Sequence, residues 1–270
     1  MFHYWLTGVF CIYLSVASSQ SVSTLMGARS QGMAYASAAI RDSWGMFNNV
    51  AGISGVTETT ATFSYKGVPA LPGANRTSFS LLTPTRYGVA GVGVFRFGDD
   101  LYNESLLTAG FSNQLGLASL GVRVNYIQYR AEGFGTKGVF TVNVGGIADL
   151  TPRLAIGAHI TNLNQPKISI DGDRIPTLLT TGVLFKPTDK VMFATELEKD
   201  LDYKPTWKLG GEYRFHPKFC ARTGFNLYPN ASFFGMGFKT SRFLMDYAFQ
   251  YSTAIQFSHQ ASIIYQFSRS

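Results

Sequence analysis

The chain has 270 residues, enough for one large all-β unit or two small domains. Only 14% of them are charged and 14% are aromatic, which excludes a disordered chain and suits a wall of strands facing lipid. The formal charge of +7 reads as excess Lys and Arg in turns and lumen, with anionic lipid heads or acidic partners as the alternative. No nucleic-acid motif accompanies it, which argues against nucleic-acid binding.

Residues 1–19 read as a cleaved export signal. An apolar stretch runs from Trp5 to Val16, Ala17-Ser18-Ser19 supplies small residues for cleavage, and Gln20 becomes the mature N-terminus. The region before the stretch has His3 but no Lys or Arg. Cleavage leaves Cys220 as the single cysteine, so no internal disulfide forms. No later segment approaches the ~18 apolar residues of a spanning helix.

Residues 20–56 differ from the rest. Met33, Ala36, Ile40, Trp44 and Phe47 recur at three- and four-residue steps, a helical spacing, until Asn48, Asn49 and Gly52 break it. This segment is expected to be a helical plug or lid. Trp44 and Phe47 are then buried, and Arg29, Arg41 and Asp42 meet the lumen wall.

From residue 57 to 270, period-2 alternation and turn residues mark about fourteen strands. Thr206 to Phe215 is the clearest: Trp207, Leu209, Gly211, Tyr213 and Phe215 alternate with Lys208, Gly210, Glu212 and Arg214. In a soluble sandwich the apolar face is the inside; in a membrane barrel it faces lipid and the charges line the lumen. The connections decide between the two. Tight links such as Thr83 to Arg86, Leu150 to Arg153 and His216 to Lys218 alternate with longer ones such as Lys66 to Arg76 and Asn162 to Thr177. Outer-membrane barrels have this two-sided difference, and a sandwich has no reason for it. The predicted fold is a transmembrane antiparallel outer-membrane β-barrel. Tyr213, Phe243, Met245, Tyr247 and Phe249 then face outward.

The inward faces of the late strands carry Glu196, Glu198, Lys208, Glu212, Arg214, Arg222, Lys239 and Asp246. Their alternating signs favour a paired network filling the lumen over an ion path, because charges away from water need partners. Arg222 is expected to pair with Glu212. His159, His216 and His259 belong to no nucleophile motif, and the scattered histidines have no metal-ligand spacing. No catalytic residue, metal or cofactor is therefore expected. Gly145-Gly146 and Gly91-x-Gly93 sit in strands without a following helix, so they mark bends or close packing rather than phosphate loops.

Gly27-Ala28-Arg29, Gly32-Met33, Ala38-Ala39, Asp42 and Asn49-Val50-Ala51-Gly52 resemble the N-terminal signature of the FadL-like outer-membrane proteins, in particular their PorV/PorQ branch of the Bacteroidota type IX secretion system. Val50 stands where that pattern has Pro, and Ser43 where it has a second acid. GGIADLTPRLAIGAHITNLNQP, FATELEKDLDYKPTWKLGGEYRF and CARTGFN resemble further stretches of the same branch, in order along the chain. The resemblance implies a non-enzymatic subunit of a secretion or surface-attachment complex. Its partners would be outer-membrane lipid and other secretion proteins or secreted cargo. Its place would be the outer membrane of a Gram-negative bacterium, with both termini periplasmic. The alternative within the same family is a transporter of small hydrophobic compounds. Inward faces that read as small or charged lean towards the subunit.

Overall fold

The computed structural model describes residues 23–167, 174–200, 204–253 and 256–267. The expected signal segment and both chain termini lie outside the described residues. Fourteen strands follow one another: β1 (Thr60–Gly67), β2 (Arg76–Thr85), β3 (Gly88–Gly98), β4 (Tyr102–Leu115), β5 (Ala118–Ala131), β6 (Gly135–Thr151) and β7 (Leu154–Thr161), then β8 (Leu178–Thr188), β9 (Val191–Asp200), β10 (Thr206–His216), β11 (Phe219–Asn226), β12 (Ala231–Lys239), β13 (Phe243–Ser252) and β14 (Gln256–Gln266). Each pairs antiparallel with its neighbours in sequence, and β1 closes on β14 from Thr60↔Gln266 to Gly67↔His259. Closure leaves no strand edge to satisfy, which is what a sheet in lipid requires.

The pleat sets the two faces. Phe63, Phe79, Val94, Leu107, Phe193, Leu209, Tyr213, Phe243, Met245 and Tyr247 are exposed on the outer wall. Phe249 is half-buried there, its ring stacked on Phe234 with centroids 5.3 Å apart. Thr62, Ser64, Ser80, Thr108, Asn125, Thr141, Lys208 and Glu212 are buried on the inner one. An apolar exterior around a polar interior is the inverse of a soluble barrel and marks a membrane wall. Among the described residues no helix is long and apolar enough to cross a membrane.

The ends differ as the connections predict. At one end the links 86–87, 116–117, 152–153, 189–190, 217–218 and 240–242 have two or three residues. At the other, 68–75 and 162–177 are long and 201–205 and 227–230 intermediate, whereas 99–101, 132–134 and 253–255 have three residues like the tight turns, so the expected longer link from Arg130 to Lys137 is not found. Thr60 and Gln266 lie at the tight-turn end, whereas Ser23 and Thr24 line a cavity with Asn162 and Pro176 toward the other.

The N-terminal segment does not form the predicted helix. It has one short helix, α1 (Ala28–Gly32), and two 3-10 turns, Ser43–Met46 and Val50–Gly55. Ala34 and Tyr35 take φ of 56° and 58°, which ends any helix after Met33. Residues 30–40 and 43–53 are buried without a break. Barrel wall surrounds the segment, so its apolar spacing marks no wet and dry face. Local side chains support the turns instead: Asp42 accepts from the Trp44 amide and Asn49 from the Ala51 amide.

Glycines on the inner wall make room for this backbone. A Cβ at Gly121 would lie 2.7 Å from the Ala51 nitrogen, and one at Gly210 2.8 Å from the Met33 Cβ. Gly93 and Gly145 face Phe47 and Asn49 in the same way. Close approach of a second chain segment, not a bend, accounts for them.

Candidate functional site

The lumen has two unlike walls with the N-terminal segment between them. On β9–β13 the wall is charged. Glu212 and Arg222 are direct cross-strand partners, as are Lys208 and Glu196. Arg222 reaches Glu212 at 2.6 Å and Asp246 at 2.6 Å, and Lys208 reaches Glu196 at 2.9 Å and Glu198 at 2.8 Å. Arg214 and Lys239 do not join this network: the strands have reached the tight-turn rim there, and both side chains are exposed. Water at the rim removes the need for a partner that burial imposes deeper in.

The N-terminal segment is tied into this wall. Arg29 bonds Glu212 at 3.0 Å and Asp42 at 2.9 Å. Glu196 accepts the Ser37 and Ala38 amides at 2.9 and 2.8 Å, satisfying backbone that no helix or strand pairs. Arg41 bonds Asp149 at 2.6 Å on β6. Asn49 donates to the Ala38 carbonyl at 2.6 Å, and Gly52 packs against the Ile40 backbone. Trp44 and Phe47 are fully buried. Burial opposes the Arg29 charge, but Glu212 and Asp42 outweigh it and hold the guanidinium above its ordinary value. Burial also raises the Asp42 carboxyl, against the pull of Arg29.

The opposite wall, on β2–β6, is apolar. Phe95, Leu106, Ile127 and Val139 form one unbroken cross-strand row: Phe95↔Leu106, Leu106↔Ile127, Ile127↔Val139. All four are buried, with Phe47 and Leu82 in the same cluster. Sequence reading missed this row because the pleat inverts its chemistry there. Toward the long-connection end the outward positions become Arg96, Gln128 and Arg130, all exposed. Beyond the lipid band water lies outside, and the inner face becomes the dry one. The signal was present, since in β5 the apolar set moves from Val122 and Val124 to Ile127 and Tyr129.

A cavity of about 100 Å³ lies where the two walls meet. Leu25, Phe47, Leu106 and Ile127 form its apolar side. Arg123, His159, Thr161 and Thr180 form its polar side. Arg123 donates to the Met46 carbonyl, but its Nε, the Nδ1 of His159 and the Oγ1 atoms of Thr161 and Thr180 have no partner among the described residues. Buried polar atoms of this kind are normally met by water or by a ligand. The other histidines lie elsewhere: His259 meets the Tyr247 hydroxyl at 2.6 Å on the outer wall, and His216 sits at a tight turn. Among the described residues no His, Cys, Asp and Glu cluster has the arrangement of a metal site.

No protein-family model matches the chain, and no curated protein matches it. Solved structures do. A monoaromatic hydrocarbon channel, CymD, superposes with a TM-score of 0.70 at 15% identity, over 92% of this chain and 98% of that one. The toluene transporter TodX of Pseudomonas putida gives 0.71 at 12% identity, over 92% and 100%. At such identities the likeness establishes the fold. That fold is the one the FadL-like resemblance implies, and nothing in the likeness supports the PorV/PorQ branch. The expectation of a secretion-complex subunit is overturned: solved barrels that share this fold include hydrocarbon channels, and the lumen has an apolar wall that the sequence reading did not credit.

Proposed function

We propose that this barrel passes small hydrophobic molecules across the outer membrane of a Gram-negative bacterium, with the tight turns on the periplasmic side and residues 20–56 as its plug. The carrying observation is the cavity in which Leu25, Phe47, Leu106 and Ile127 form an apolar surface, faced by a polar side that includes Arg123, Asn125, His159 and Glu198. A dry cavity of about 150 Å³ walled by Leu, Ile and Phe holds benzene. A single-ring hydrocarbon therefore needs more than the present space, and this reading requires the Phe47 ring to move. The fold shared with hydrocarbon channels supports the same reading.

Uptake of radiolabelled toluene by porin-deficient cells expressing the protein tests it. Expression is expected to raise the initial rate, and Ile127→Asp to remove most of the gain by setting a charge in the apolar row. An Ile127→Asp protein that folds and still takes up toluene at the full rate contradicts the proposed path.

A further inference from the structure

At the tight-turn end the lumen opens into a second cavity, about 300 Å³, between the N-terminal segment and the inner faces of β8–β10. Five cations line it, Arg29, Arg41, Lys186, Lys190 and Arg214, against two carboxylates, Asp189 and Glu212. The carboxylate account is already closed at Glu212, which holds Arg29 and Arg222. Arg41 is held by Asp149. Lys186, Lys190 and Arg214 make no ion pair among the described residues. They are also set close together. The Arg214 amide donates to the Lys190 carbonyl at 2.8 Å, so two cations leave the rim from strands about 4.8 Å apart.

Side by side at the rim these cations are only partly screened by water, and an anion between them would relieve their mutual repulsion. Cations outnumber carboxylates on this concave wall, and such a wall focuses its field on the space it encloses. Lysine offers a point charge to an oxyanion, and arginine a fork of donors, so together they suit a phosphate or carboxylate group. We propose that this cavity is a binding site for a small oxyanion, held chiefly by Lys186, Lys190 and Arg214. An anion there lies against Arg29 and Arg41, the two guanidiniums that tie the N-terminal segment to the wall. It would compete with Glu212 and Asp149 for them. The oxyanion has two possible sources: free in solution at the mouth, or the headgroup of an anionic phospholipid reaching over the rim.

Titration calorimetry on the delipidated barrel in a neutral detergent at low ionic strength tests the site, with inorganic phosphate as the probe. Saturable binding is expected, weakened about tenfold or more in Lys190→Gln/Arg214→Gln, which removes two charge-assisted contacts. Arg86→Gln/Arg242→Gln removes the same net charge from the same end but touches no part of this cavity, and it should bind as the parent does. A second titration compares phosphatidylglycerol with phosphatidylcholine. If phosphatidylglycerol alone binds, and only with Lys190 and Arg214 intact, the oxyanion site stands and its source is lipid. Equal weakening by both double variants would overturn the proposal in favour of diffuse net charge. So would absence of saturable binding of either phosphate or phosphatidylglycerol. Heat-modifiable migration on gels confirms that each variant is folded.

Discussion

Deleting Ser21 to Gly52 is expected to turn a closed barrel into an open pore. Side chains fill barrels of about 8 strands, whereas 16–18-stranded porins keep an aqueous channel, so fourteen strands enclose more space than their own side chains occupy. Residues 43–53 are buried without a break, and in the proposed reading the N-terminal segment fills most of that space. Its removal also uncovers the glycines that now face it, widening the lumen further. In planar bilayers the intact protein should show little conductance. The deletion variant should show steady ohmic steps larger by an order of magnitude or more. An intact protein that already conducts as well as the variant would remove the plug from the account. The strands do not depend on the segment for their pairing, so circular dichroism should report the same β content in both.

A second large effect is expected at Arg222. Its guanidinium joins Glu212 and Asp246, both buried, across three strands. Arg222→Leu leaves Asp246 without an ion pair among the described residues and leaves Glu212 with Arg29 alone. Breaking a buried pair costs roughly 3–5 kcal/mol, because the remaining charge keeps its desolvation penalty. The expected result is a clear fall in the denaturant midpoint of the detergent-folded barrel. The double variant Arg222→Leu/Asp246→Leu should recover part of the loss, since it removes the orphaned carboxylate as well. A single variant as stable as the parent would mean that water reaches this wall and screens it.

The barrel was legible because its rule is local. Period-2 alternation in Trp207, Leu209, Tyr213 and Phe215 needs only the pleat, and the tight link Lys239 to Arg242 needs only a turn. The same rule put Glu212 and Arg222 on one face, and adjacent strands of a hairpin then made them neighbours. What could not be read depends on surroundings. The spacing of Met33, Ile40 and Trp44 implies a helix only if one side is wet, and inside a barrel no side is. The row Phe95, Leu106, Ile127 and Val139 is apolar inward where the outward set turns to Arg96, Gln128 and Arg130, a switch of parity that one alternation read along the whole strand passes over. Arg123, His159 and Thr180 come from three different strands and share a cavity only once the barrel closes.

The central claim is that a small apolar molecule occupies the lumen beside the N-terminal segment. Crystals soaked with bromobenzene test it most directly, because the anomalous signal of bromine locates the ring without assumptions about its pose. The account predicts a peak in the cavity between Phe47, Leu106 and Ile127, lost in Ile127→Asp. Bromine found only on the outer wall, among the lipid-facing residues, would contradict it.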